Sequence, residues 1–434
     1  VRRVKIRLIQ INFFRIEWSS LHPARTTPHP RRNFMTLSTL TDSNATKHWQ
    51  ARFTEHPVWG LGFRPFYILA AAFAALAVPL WLARYFGMLS GLPNVNLNWH
   101  LHEMVFGFAL AVIIGFLYTA GRNWSGLWTP RRAHLAMLVV LWAAGRCAML
   151  FATPVAAAVV DLAFLPLAAW PFYRVLQRVG NKRNFFLVGL LLLLVTANAV
   201  YHAAVLGWIA ASPLSAVEAA ILVIVMIESV IGSRIIPGFT ANAVPGIKPA
   251  LDPRLDRISI GLTAVTCIAW VAGLAAPAVA ALAFATALSQ AIRIAGWRSL
   301  RTLHNPLLWI LHVSYAWIPL GFFMLGLSRL HVVTASAAFH ALAVGSMAGL
   351  IVGMITRTAL GHTGRALKSG RAETAMYMLI QIGAVARVFA AMQTGSPRTA
   401  ALVLSATCWS IAFLVYLAVY GPYLFGARID GKEG

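Results

Sequence analysis

Charge is what this chain has least of. Only 11% of its 434 residues are Asp, Glu, Lys or Arg, and 59% are hydrophobic. An ordinary soluble domain carries roughly 25% charged residues. A chain this apolar has too little polar surface to cover itself in water, which excludes a multidomain cytosolic enzyme and points to lipid as the solvent. Acidic residues are scarcest of all, 12 against 36 Lys and Arg, for a formal net charge of +24. Cysteine is nearly absent too. Cys147, Cys267 and Cys408 stand far apart inside apolar runs, with no Cys-x-x-Cys and no disulfide framework, and they read as small buried hydrophobes. A Walker loop, a Gly-x-Gly-x-x-Gly after a strand and an internal repeat are all missing.

A strongly basic chain can bind nucleic acid, but here the basic residues form no stripe. They sit in short clusters between apolar runs, as orientation signals do in a polytopic membrane protein, so nucleic acid is not expected as a partner. Twelve runs are long enough to cross a bilayer at ~20 residues each. They fall near residues 66–87, 101–121, 134–151, 155–175, 185–206, 216–236, 258–275, 277–294, 306–327, 334–356, 374–392 and 400–422. The seventh and eighth are parted only by a turn around Ala276 and Pro277. Basic clusters follow every even-numbered run, for example Arg122, Arg131 and Arg132 after the second and Arg357, Arg365, Lys368 and Arg371 after the tenth. The intervening connectors hold little beyond Arg329 and Arg398. This alternation predicts an all-α bundle of twelve transmembrane helices with both termini in the cytoplasm.

The domain reading is correspondingly simple. Residues 1–53 form a basic N-terminal extension, 54–422 the twelve-helix membrane domain, and 423–434 a cytoplasmic tail. The chain opens on Val1, and its first methionine is Met35. Residues 1–34 carry eight Lys or Arg and one Glu, without the apolar core and small-residue cleavage site of a signal peptide. This suggests a start from a non-ATG codon or one placed too far upstream. A start at Met35 lowers the net charge from +24 to +17, by removing those eight basic residues and one acidic residue.

Ionisable residues inside a span are costly and therefore functional candidates. Helix 2 opens on Trp99-His100-Leu101-His102-Glu103-Met104, helix 5 carries Asn198, Tyr201 and His202, helix 6 carries Glu218 and Glu228, helix 9 carries His312 and Tyr315, and helix 10 carries His340. Arg146, Asp161 and Arg387 also fall within spans. The topology puts His100, His102, His202 and His340 in the outer half and His312 on the inner side of the midplane. Two residues apart, His100 and His102 stand ~200° around a regular helix and cannot grip one ion from one face. Small residues below His100, Gly107 among them, leave room for a flat macrocycle or for close helix packing. His340, Met347 and Met354 recur every seven residues, a stripe that suits copper or plain core packing, and Gly345, Gly349 and Gly353 form a packing face. His312 and Tyr315 read as a hydrogen-bonded or proton-passing pair, and Asn198 as an orienting partner of His202. Arg146 and Arg387 can neutralise anionic groups, or Arg146 can pair with Asp161. Glu228, near the midplane, can carry protons. Five intramembrane histidines on four helices suggest a metal or haem site in the bundle core.

Several motifs then resemble the NnrS family. They are His56-Pro57 with Gly62-Phe63-Arg64-Pro65-Phe66, the Trp99–Met104 segment, Asn123-Trp124-Ser125-Gly126, Gly232-Ser233-Arg234-Ile235-Ile236-Pro237, Leu311-His312-Val313-Ser314-Tyr315-Ala316-Trp317, Met354-Ile355-Thr356-Arg357 and Leu360-Gly361-His362-Thr363-Gly364-Arg365. The resemblance runs over roughly residues 54–422. It implies a bacterial inner-membrane protein that binds haem and copper in the nitric oxide response and guards metabolism against nitrosative stress. On burial and matched motifs, and for His202 on burial alone, the expected cofactor-binding residues are His100, His102, His202, His312 and His340, with His100, His102, His312 and His340 as metal ligands. Glu103, Arg146, Glu228, Tyr315 and Arg387 are expected as supporting or proton-path groups. Three readings follow: a protein that senses or binds nitric oxide, an oxidoreductase-like protein that turns it over, and a proton-coupled secondary transporter of a metal chelate or small anion. The lack of a detectable inverted repeat disfavours the transporter.

Overall fold

The computed structural model describes residues 53–433. The expected N-terminal extension up to residue 52, with the start reading that falls within it, lies outside the described residues. Among the described residues the chain is helical, with no strand. Twelve long helices follow one another: α1 Phe63–Tyr85, α2 Leu97–Ser125, α3 Arg132–Phe151, α4 Pro154–Arg178, α5 Phe185–Val205, α6 Pro213–Ala243, α7 Pro253–Val271, α8 Ala276–Ala295, α9 Pro306–Arg329, α10 Ala335–His362, α11 Arg371–Ala390 and α12 Gly395–Phe425. Each coincides with one expected apolar run. Ten are long and apolar enough to cross a membrane. The other two, α7 and α11, carry charges at their ends: Arg254, Asp256 and Arg257 on α7, and Arg371, Glu373 and Arg387 on α11.

Local sequence sets many of the helix starts. Pro154, Pro213, Pro253 and Pro306 sit in first turns, where a missing N–H costs nothing. Asn96 caps α2 by accepting from the Trp99 N–H at 3.0 Å, and Thr334 caps α10 by accepting from Ala337 at 3.2 Å. Gly126 ends α2 in the left-handed conformation at φ 71°. Two helices are irregular. In α2 a π-helical run spans Glu103–Ala109, directly after His102, and in α10 another spans Ala341–Ala348, directly after His340.

Short connectors make successive helices antiparallel, so the bundle has a terminal end, where α1 starts and α12 finishes, and a far end. α12 packs on both α11 and α1, bringing the last helix back to the first. α2 and α10 are the interior helices. Of their most apolar stretches 89% and 78% are buried, against 39% for α1 and α5. Leu76, Met137, Trp170, Leu192 and Leu288 are among the large apolar side chains left exposed on the perimeter, as lipid-facing residues are. The glycine face of α10 lies on α9, where a Cβ at Gly345 would strike Trp317, one at Gly349 would strike Ser314, and one at Gly353 would strike Leu311. These glycines let two helix backbones approach closely.

The terminal end is stitched by the C-terminal residues. Buried Arg64 donates to the carbonyls of Leu424 at 2.9 Å and Gly426 at 2.7 Å. The Ile429 N–H reaches Thr363 O at 3.2 Å, and Arg428 reaches His362 O at 3.0 Å. α12 runs on to Phe425, past the expected start of the tail.

Candidate functional site

Two groups of polar side chains flank α2 at the far end of the bundle. His102 anchors the first. Its Nδ1 faces Glu103 Oε1 at 2.9 Å, and its Nε2 faces Asp161 Oδ2 at 3.1 Å and Asn198 Oδ1 at 3.0 Å. His202, at the end of α5, brings its Nε2 to 3.0 Å from the same Asp161 oxygen. Asn198 donates to that oxygen at 2.8 Å. Arg146 from α3 closes the group by donating to Glu103 Oε1 at 2.7 Å and to Asp161 Oδ1. The Arg146–Asp161 ion pair weighed from sequence is therefore present, and Arg146 also holds Glu103. His102, Glu103, Arg146, Asp161, Asn198 and His202 are all buried. Charges this deep persist only when paired and hydrogen-bonded.

His100 points elsewhere. Its ring stacks on Trp81 of α1, with centroids 5.3 Å apart and planes 13° from parallel, and its Nδ1 is buried without a partner. His340, early in α10, and Arg387 of α11 lie within electrostatic reach of His100. The Nδ1 of His340 lies 2.6 Å from the carbonyl of Ser336, which fixes the proton there and turns Nε2 outward as a lone-pair donor. His100, His340 and Arg387 are each half-buried. Glu228 of α6, also half-buried, accepts from Ser346 at 2.7 Å inside the α10 π run.

His312 belongs to neither group. It lies toward the terminal end, with Nε2 at 2.8 Å from Thr240 Oγ1 and Nδ1 at 2.9 Å from Ser299 Oγ, so hydroxyls occupy both ring nitrogens. The expected bond between His312 and Tyr315 is absent. Tyr315 instead donates to Gln290 Oε1 at 2.9 Å and accepts from Arg293 at 3.0 Å. Asn198 orients His102 and Asp161, with no bond to His202 among the described contacts. The seven-residue stripe of His340, Met347 and Met354 does not hold its register, because the π run lies between the first two and winds with more residues per turn. The space at Gly107 holds packing groups, since a Cβ there would meet Arg146 Nη1 at 2.7 Å, Glu103 Oε2 at 2.8 Å and Phe73 at 3.0 Å.

One buried network has no counterpart in the sequence reading. Arg293 of α8 donates to Asp256 at 2.7 Å and to Ser229 Oγ at 3.1 Å, while Gln290 donates to Ser229 Oγ at 2.8 Å and Thr263 Oγ1 at 2.9 Å. An arginine inside the eighth apolar run was the available signal.

The family model described as NnrS protein matches residues 57–428. The chain belongs to the NnrS family. That match covers all twelve helices, both histidine groups and the stitched C-terminal residues as far as Arg428. No curated protein matches the chain. Among the described residues, His102, Asp161 and His202 are the NnrS chain's candidate metal-ligand group, each offering one ligand atom and the three lying within 4.8 Å of one another.

Proposed function

We propose that this NnrS chain is a haem- and copper-binding protein of the bacterial inner membrane, which protects against nitrosative stress by binding or converting nitric oxide between its helices. In this reading all twelve helices cross the bilayer, both termini are cytoplasmic, and the far end with its histidines faces outward. The observation that carries it is that His100 and His340 stand near the starts of the two interior helices, both half-buried, the first with a buried Nδ1 that has no partner and the second with its Nδ1 held by a backbone carbonyl.

The residues fit a haem. The buried, unpartnered Nδ1 of His100 and the Nε2 of His340, left by a backbone-held Nδ1, are what imidazole ligation requires. Trp81 fixes the plane of the His100 ring. Arg387 supplies positive charge for the carboxylates of the group. Glu228, tied to Ser346 six residues after His340, places an ionisable carboxyl near the middle of the bundle, in a position to hold a proton. When bound, haem supplies an iron with affinity for nitric oxide.

Purified full-length protein is expected to show a Soret band and stoichiometric iron. His340→Gln and His100→Gln should each lower retained haem by about 10-fold or more, while His312→Gln leaves it unchanged. Wild-type protein with neither Soret absorption nor iron overturns the reading.

A further inference from the structure

Carboxylates are scarce in this chain, and their distribution leaves one corner of the terminal end without any. Residues 162–217 and 229–251 contain no Asp or Glu. Within them α4 closes on Arg174 and Arg178, the short turn Lys182–Asn184 carries Lys182 and Arg183 into α5, and α6 brings Arg234 alongside. Arg234 Nη1 donates to Asn184 Oδ1 at 3.1 Å, which ties α6 to that turn, and Arg183 lies within electrostatic reach of Arg234. All five cations are exposed, and among the described residues none forms an ion pair. Elsewhere at this end arginines do meet carboxylates. Arg131 reaches Glu433 at 3.2 Å, Arg293 reaches Asp256 at 2.7 Å and Arg428 reaches Asp430 at 2.6 Å. Like charges gathered without a counter-charge repel one another, so the α4–α5–α6 corner calls for an anion from outside the chain.

The rings beside these cations say where that anion sits. Arg174 lies over Trp170, 5.8 Å from the ring centroid, and Arg234 over Phe186 at 5.0 Å. Trp170, Tyr173 and Phe185 form a run of ring contacts at 5.5 and 6.0 Å. Tryptophan and tyrosine beneath basic side chains mark the boundary between hydrocarbon and headgroups. Beyond that boundary the outer faces are apolar, with Leu167 and Trp170 of α4 and Leu192 of α5 exposed. The α4, α5 and α6 helices are each long and apolar enough to cross a membrane. An occupant must therefore present negative charge at these helix ends and hydrocarbon along their flanks. A nucleic acid or an acidic protein meets the first condition only.

We infer that the terminal-end corner of α4, α5 and α6 is a docking site for an anionic phospholipid, whose phosphate oxygens accept from Arg174, Arg183 and Arg234 and whose acyl chains lie along α4 and α5. Guanidinium groups suit phosphate oxygens, and basic clusters at helix ends recognise anionic headgroups. Arg178 and Lys182 add charge around them. The inference needs these three helices to cross the bilayer and is independent of haem or copper binding.

The test is native mass spectrometry of the full-length chain in non-ionic detergent, offered equal amounts of phosphatidylglycerol and phosphatidylcholine with identical acyl chains. Wild type should retain phosphatidylglycerol over phosphatidylcholine by at least about 10-fold. Arg174→Gln combined with Arg183→Gln should lower that affinity by about 25-fold, at roughly 5-fold per cation, with helical circular dichroism retained. Lysine at the same two positions should keep most of it. Arg254→Gln combined with Arg257→Gln removes the same charge from the same end and should leave it unchanged. Raising salt to about 1 M should weaken the lipid complex, because the cations are exposed. Equal retention of the two lipids overturns the inference. So does an equal loss in both glutamine pairs, which marks diffuse net charge, or displacement of the lipid by millimolar inorganic phosphate, which marks a site for the free anion.

Discussion

Arg146→Met is expected to lower the stability of the folded chain by about 3–5 kcal/mol, the usual cost of removing one partner from a buried ion pair. The guanidinium is buried and bonds two carboxylates on different helices, Glu103 of α2 and Asp161 of α4. Without it, two like charges share a low-dielectric site with only the histidines to balance them. Methionine fills similar volume, so the loss measures charge more than packing. Thermal unfolding in detergent, followed by size exclusion, checks this. Arg146→Met combined with Asp161→Asn should recover part of the loss, because one stranded charge goes too. A single variant that unfolds at the wild-type temperature would show that the network contributes little.

The second large effect is Gly345→Val, expected to cost about 3 kcal/mol through overpacking. The Cβ would run into the Trp317 ring. That ring cannot easily give way, because its Nε1 donates to Gln381 at 2.8 Å and Gln381 in turn donates to Ser314 at 3.2 Å. Gly361→Ala is the control in the same helix. There the nearest atom to a new Cβ is Leu367 Cδ2 at 3.9 Å, and alanine should be neutral or stabilising by up to about 1 kcal/mol. Paired thermal melts separate the two. Equal melting temperatures would remove the close α9–α10 contact as an explanation for the glycine face.

The helices were legible in the sequence because apolar run length and the punctuation between runs are local signals. Even the narrow turn between α7 and α8 shows in it. The histidine pairs were legible only in part. Spacing alone says that His100 and His102 face apart, and the structure gives each a different set of neighbours. What spacing cannot say is which neighbours. Asp161 reaches His102 from 59 residues away and Asn198 from 96. No periodicity reports such pairings, which arise only when α4 and α5 pack beside α2. His312 illustrates the converse. Its motif is specific, yet Thr240 and Ser299 occupy its ring nitrogens. Arg293 illustrates a third case, a charge set in a run so apolar that its partners, Asp256 and Ser229, leave no mark on the pattern.

The π-helical runs determine which way the histidines look. Each run accommodates one residue more than a regular α-helix of the same length, and one residue is about 100° of rotation. Deleting a single residue from 103–109 would let α2 wind regularly and would swing His100 and His102 by that angle against everything below Leu110. The same holds for His340 and a residue in 341–348. In both interior helices, then, the azimuth of the histidine rings is decoupled from the packing face beneath by a one-residue phase slip, and the two faces can be tuned separately.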